Sequence, residues 1–307
     1  MGEKIILLAG GSGFLGREIG NFLESKDYTV RVLTRAFNKK LNFEQFIWDP
    51  ATNYIDPAAF EAVYGVINLA GASLAGKRWT DAYKLELIKS RVSTTSILVK
   101  AIHSLISKPK IFIQHVGIGI YGHRPNEILT EDSATAQQGF IPSLCHEWEQ
   151  ASQGLSPEVR SVVVRTGIVL NLKGGYLAKT KLPSMFGFSP LFGSGNQIYS
   201  WIHISDLKQA IAYLIDNQGL EGILNLTAPN PVSQSTIARS MSKKFIGFAI
   251  PIPIPISFLK ILVGEMANTL IESQEVLPKK LMDHGFIFKY PDINGALDDL
   301  IKNKNNK

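Results

Sequence analysis

Apolar positions in the first half of the chain fall into two alternating rhythms. KIILLA at 4–9 is a continuous apolar run of strand length, whereas residues 14–25 place Phe14, Ile19, Phe22 and Leu23 at helical spacing. TVRVLTR at 29–35, FEQFIWD at 43–49 and AVYGVINLAG at 62–71 read as further strands. Thr80 or Asp81 then opens a long helix to about Ser104. KIFIQHVGI at 110–118 is another strand, SLCHEWEQAS at 143–152 a helix, and VRSVVVRTGIVL at 159–170 a strand. Strands apolar on both faces, alternating with helices, predict an α/β fold: a Rossmann-type, doubly wound parallel sheet covered on both sides.

The rhythm changes after residue 171. A Gly/Pro-rich stretch leads to WIHISDLKQAIAYLID, a short extended segment followed by a helix, and a final amphipathic piece runs from Asn294 to Ile301. Residues 1–171 therefore read as a dinucleotide-binding domain and 172–307 as a smaller C-terminal lobe on the substrate side, part of which returns to the first sheet. The most membrane-like segment is FIGFAIPIPIPISFLKILVG at 245–264. Pro251, Pro253 and Pro255 each remove a backbone donor and Lys260 adds a charge, which argues against a spanning helix. An extended apolar strip that leads into a helix and packs on the body is expected instead. The N-terminal apolar run is broken by glycines within five residues, too short for a signal sequence.

Composition narrows the partners. A chain of 307 residues with 45% hydrophobic content buries a full core. The net charge of +6 and pI near 9.2 suggest an anionic partner, but the bases are scattered apart from Lys302, Lys304 and Lys307. No nucleic-acid partner is expected, because patches and not totals make that case; a nucleotide cofactor is a sufficient anion. The single cysteine, Cys145, excludes an internal disulfide and a Cys-rich zinc site and fits a reducing, cytoplasmic setting. No metal is expected: the histidines at 103, 115, 123, 146, 203 and 284 include no pair at helical metal spacing, and HEWEQ at 146–150 lacks a second histidine.

The strongest local chemistry is GGSGFLG, in which Gly10, Gly13 and Gly16 stand three apart between the first strand and the first helix. Glycines at that junction allow a tight turn, close approach of backbone to a pyrophosphate, and helix-on-strand packing. The helix N-terminus offers unpaired N–H groups to the anion. Gly10, Ser12, Gly13, Phe14 and Leu15 are the expected cofactor contacts. At the end of the second strand stand Thr34 and Arg35, with Arg31, Lys39 and Lys40 nearby and no acid until Glu44. An acid there suits a ribose hydroxyl and an arginine a 2′-phosphate, so NADP(H) is the expected cofactor. Leu69, Ala70 and Gly71, on the carboxyl edge of the fourth strand, would lie against the nicotinamide ribose, while Asp49 either approaches the adenine or caps a turn.

These residues resemble the extended short-chain dehydrogenase/reductase superfamily, and more narrowly the "epimerase family" described as nucleoside-diphosphate-sugar epimerases or cell-division-inhibitor-like proteins. The resemblance covers nearly the whole chain, through GGSGFLG, INLAGASLAGKRWT at 67–80, KSRVSTTSILVKAI at 89–102, RTGIVL at 165–170, GSGNQIYSWIHISDL at 193–207 and LPKKLMDHGFIFKYPDINGAL at 277–297. The last block resembles a family C-terminal domain of unknown function. The superfamily's chemistry implies a tyrosine acid/base, a lysine four residues later that lowers its pKa, and a serine or threonine. No tyrosine here has that lysine: Ile141 and Cys145 stand at the pair's positions, and Gln114 and Val116 where serines belong.

Tyr121 is then the candidate proton donor, with His115 a core or edge histidine. Lys77, Arg78, Trp79 and Trp201 are the candidate substrate-side residues; Glu131 and Asp132 fall on a loop that borders the cleft in the superfamily or act as solvated or capping acids. Arg165, His203 and Asp206 match the family's blocks, and Asp206 is placed to cap the following helix. The resemblance implies an epimerase or oxidoreductase acting on a nucleotide-sugar or small polar carbonyl compound. Loss of the tyrosine–lysine pair leaves open a non-catalytic NADP(H) sensor that works through a protein partner or a second copy.

Overall fold

In the computed structural model, which describes residues 4–302, the first half builds β1 (Lys4–Ala9), α1 (Phe14–Glu24), β2 (Tyr28–Thr34), β3 (Glu44–Asp49), β4 (Tyr54–Ile55), β5 (Val63–Asn68) and α2 (Asp81–Ser104). It continues through β6 (Ile111–Gly117), β7 (Arg124–Leu129), α3 (Phe140–Gln150) and β8 (Arg160–Thr166). Lys304 and Lys307 of the basic tail lie outside the described residues.

The central sheet has the order β13-β8-β6-β5-β1-β2-β3-β4 once β13 (Gly222–Leu226) is included. Every pairing in it is parallel except the β3–β4 edge. The chain winds outward from β1 to β3, returns to β5 on the other side of β1, and winds outward again. The switch between β1 and β5 opens a crevice beyond their carboxyl ends, where such sheets bind ligands.

Alternation along β1 explains the two covering layers. Ile6 and Leu8 pack with Ile19 and Leu23 of α1, while Leu7 and Ala9 pack with Leu98 and Ile102 of α2 on the opposite face. Thr80 caps α2, its side chain accepting the Tyr83 N–H.

The remaining elements are β9 (Ile168–Leu170), α4 (Gly175–Met185), β10 (Phe188–Phe192), β11 (Ile198–Tyr199), β12 (Trp201–His203) and α5 (Ile204–Asp216) before β13. After it come β14 (Val232–Ser233), α6 (Gln234–Ile246), β15 (Ile250–Ile254), α7 (Ile256–Val263), β16 (Gln274–Val276), α8 (Lys279–Asp283) and α9 (Ile293–Lys302). α5 covers the α1 face of the sheet, with Leu207, Ile211 and Leu214 in the same core.

Three local expectations change. The strand expected over 159–170 breaks at Gly167, where a Cβ would stand 2.6 Å from the Ser200 carbonyl oxygen; β9 leaves the sheet to pair with β12. α3 starts at Phe140, three residues early, because Pro142 falls in the first turn where its missing N–H is not needed. Asp206 does not cap α5. His203 does, its Nδ1 accepting the Ser205 N–H, while the buried Asp206 carboxylate accepts the N–H groups of Lys289 and Tyr290 and ties α5 to the chain before α9.

Candidate functional site

The glycine loop shows why each glycine stands where it does. Gly10 has φ +82° and lies so close to the next strand that a Cβ would be 2.8 Å from the Leu69 carbonyl carbon. A Cβ on Gly16 would be 2.4 Å from the Gly10 oxygen, so the helix can sit against the loop only without a side chain. Gly13, the N-cap of α1, makes no side-chain capping bond, and a Cβ there would meet only the Gly10 oxygen at 3.2 Å. The first amides of α1 are thus left without a side-chain acceptor beside an opening.

That opening is a cavity of about 710 Å³ at the switch point. Gly10, Gly13, Phe14, Leu15, Leu69, Gly71 and Trp79 line it, as do His115, Val116, Ile141 and Cys145. Ala70 lies behind the wall, its N–H bonded to Asn68 Oδ1. The register Ala9↔Leu33 sets Thr34 and Arg35 beside the glycine loop and outside the cavity proper. Thr34 donates to the Ala36 carbonyl, and Arg35 is exposed with no hydrogen bond or ion pair among the described residues. Ser12 is at the rim, its carbonyl accepting from Arg17. Asp49 serves the turn, accepting the Ala51 N–H.

At the positions of the missing tyrosine–lysine pair and serine the wall is poor in proton donors. Val116, Ile141 and Cys145 present carbon and a thiol that burial pushes up to about 12. Gln114 lies beneath the wall in a buried network, accepting from Asn68 and giving its own amide to the His115 carbonyl. His115 is different: Nδ1 is 3.2 Å from Thr166 Oγ1, while the buried Nε2 has no partner among the described residues. Burial lowers its pKa to about 4, so the ring is neutral at pH 7.

Several candidates sit elsewhere. Tyr121 does not reach the cavity. Its ring is fully buried, its hydroxyl lies 2.8 Å from Asn225 Oδ1 and 3.0 Å from the Thr130 carbonyl, and it accepts from Arg165 at 3.1 Å. Burial pushes this phenol above its ordinary value, against the direction an acid/base tyrosine needs. Trp201 is fully buried and donates to the Asn230 carbonyl, its neighbours Tyr199 and Ser200 facing the cavity instead. Lys77 reaches Glu86 and Arg78 the Lys260 carbonyl, so of that trio only Trp79 lines the space. Glu131 is neither solvated nor at the cleft: it is buried and accepts the Asn225 and Lys280 N–H groups.

Of the cavity residues not singled out from sequence, two carry charged side chains. Arg91 of α2 lies over the Trp148 ring and donates to the carbonyls of Leu87 and Ala72, placing a buried cation in the wall; a Cβ on Gly71 would come within 3.0 Å of it. Its signal was an arginine inside an otherwise neutral helical stretch, RVSTTSILV. Glu272, its pKa raised by burial, lines both this cavity and a neighbouring one of about 560 Å³. No spacing pattern marked it.

A parallel sheet in this order, with a glycine loop and an uncapped helix at its switch point, defines a dinucleotide fold, and the comparisons agree. Residues 6–142 match the model of the NAD dependent epimerase/dehydratase family, and residues 254–300 match a domain of unknown function, DUF1731. Epimerase family protein YfhF of Bacillus subtilis is 34% identical over 308 residues, covering 97% of this chain and 98% of its own. Epimerase family protein SAR0825 of Staphylococcus aureus is 35% identical, covering 97% and 99%. Human epimerase family protein SDR39U1, crystallised with NADPH, is 27% identical with a TM-score of 0.89, covering 97% of this chain and 99% of that one. With this similarity running end to end, the chain belongs to the epimerase family.

Proposed function

We propose that this protein binds NADP(H) and acts as an epimerase or oxidoreductase on a nucleotide-sugar or another small polar carbonyl compound, in a reducing compartment such as the cytoplasm. The observation that carries the reading is the uncapped α1 N-terminus opening, between Gly10 and Gly16, on the switch-point cavity. Gly10, Ser12, Gly13, Phe14 and Leu15 would hold the pyrophosphate, Thr34 and Arg35 the 2′-phosphate, and Leu69, Ala70 and Gly71 the nicotinamide ribose. The exposed, unpaired Arg35 and the shape left by absent side chains both fit such a ligand. The bound nicotinamide supplies or accepts a hydride. His115, which lines the cavity with a neutral ring whose Nδ1 lies 3.2 Å from Thr166 Oγ1, is the candidate in the wall to hydrogen-bond a reacting oxygen.

The apolar wall at Val116, Ile141 and Cys145 favours a second reading, a sensor that binds NADP(H) and reports through a protein partner or a second copy. Titration of wild type and Arg35→Asp with NADPH and NADH tests the cofactor assignment. Wild type should prefer NADPH, and the variant should lose about tenfold or more of NADPH affinity with NADH little changed. Equal affinities in wild type would sink the role of Arg35. A carbonyl-substrate screen that follows NADPH consumption then separates the readings: turnover that collapses in His115→Phe while NADPH affinity holds supports the enzyme, and tight binding without turnover supports the sensor.

A further inference from the structure

The second half of the chain turns an apolar face to solvent. β15 pairs with β10 on one side and leaves Ile250 and Ile252 exposed. α7 fully buries only Leu259 and presents Phe258, Ile261 and Leu262, at i, i+3 and i+4, to water at 51%, 68% and 56% exposure. The face continues across the turns before β10 and β15, where Phe186 and Phe248 are also exposed; a Cβ on Gly187 would be 2.5 Å from the Phe248 ring. The strip expected to pack on the body thus packs only in part, because its isoleucines have no covering layer.

The segments that carry this face hold charges of one sign, although Lys244 is paired with Asp298 of α9 at 2.7 Å and Glu265, the residue after Gly264, is paired with Lys84. Residues 174–193 and 234–264 contain Lys179, Lys181, Arg239, Lys243, Lys244 and Lys260 and no Asp or Glu, in a chain with 26 acids against 32 bases. A second copy docked face to face would set these bases against their equivalents. A docking strand is refused as well. Ile250 donates to the Gly187 carbonyl, so the alternate, outward positions are Pro251 and Pro253, which have no N–H to offer.

We propose that this face docks on the surface of a bilayer that contains anionic phospholipid. Ile250, Ile252, Phe258, Ile261 and Leu262 enter the headgroup boundary and the surrounding bases meet lipid phosphates. The contact is peripheral: α7 has eight residues, and among the described residues no helix is long and apolar enough to cross a membrane.

The test is co-sedimentation of the full chain with phosphatidylcholine vesicles, with and without phosphatidylglycerol. Binding is expected only with the anionic lipid, reduced about tenfold or more in Ile261→Glu/Leu262→Glu and again in Lys243→Glu/Lys260→Glu. Unchanged thermal unfolding of the variants in the absence of vesicles reports an intact fold. Equal binding by wild type and the Ile261→Glu/Leu262→Glu variant overturns the proposal, as does absence of binding to anionic vesicles. A concentration-dependent dimer dissolved by that variant would also overturn it and give the face to a second copy.

Discussion

Acidification from about pH 7 to about pH 5 is expected to destabilise the fold through two buried imidazoles. His115 and His203 are each held at about 4 against an ordinary 6.5, because burial removes water from the charged form. Unfolding returns both rings to water, so between roughly 6.5 and 4 the unfolded chain takes up protons that the folded chain refuses. A folded pKa below the unfolded one leaves stability intact well above 6.5 and erodes it as the pH falls through 6.5, with no further loss below about 4.

Linkage gives each ring a cost of about 0.2 kcal/mol near pH 7 and about 2 kcal/mol near pH 5, so the pair removes roughly 3–4 kcal/mol across that interval. Asp206 and Glu272, raised by burial, act in the opposite sense and gain as they are protonated, so the measurement is a difference. Urea unfolding of wild type is compared with His115→Phe/His203→Asn, where asparagine can still cap α5. The variant should lose markedly less stability on acidification. Parallel loss in the two proteins would refute the assignment of the pH dependence to these rings.

Other substitutions address the glycine loop and the buried polar groups. Gly16→Ala drives a Cβ into the backbone of Gly10 and Gly11 and should cost about 1–3 kcal/mol in chemical denaturation, together with NADPH affinity. Gly13→Ala, with its single 3.2 Å contact, should keep most of the stability and lose affinity, which calorimetric titration would separate. Tyr121→Phe should lower stability by about 1 kcal/mol through the lost Asn225 and Arg165 bonds, with NADPH affinity unchanged. Glu149→Ala strands the buried Arg165 guanidinium that it now holds at 2.8 and 2.9 Å, and a loss of about 3–5 kcal/mol in urea unfolding is expected.

The sheet and its glycine loop were legible because they rest on local signals: apolar runs of strand length, helical spacing, and glycines at a strand-to-helix junction. The cavity wall was legible only in part. Ile141, Cys145 and Val116 were read as replacements for polar groups and do line the space, since a position four residues along a helix or the alternation of a strand carries them there. Trp201 and Tyr121 failed for the converse reason. Whether an aromatic in a strand or turn faces a cavity depends on which element passes beside it, and that element is Asn230 in one case and Asn225 in the other, far away in sequence. Glu131 reads from sequence as a solvated or capping acid; it is buried, and the N–H groups it accepts, from Asn225 and from Lys280 in the first turn of α8, lie far away in sequence.

The position of β13 has a consequence for biosynthesis. β8 lies between β6 and β13, and among the described residues no other strand pairs with its outer edge. A nascent chain emerging in order has made its glycine loop by residue 16 and β8 by residue 166, yet it must wait for residues 222–226 before that edge is closed. For all that interval Val162 to Thr166 present unpaired peptide groups from a strongly apolar strand, the kind of template on which unfinished chains associate. The sheet therefore closes late, and a ribosome that stalls between β8 and β13 leaves a chain with a complete nucleotide loop and an open edge.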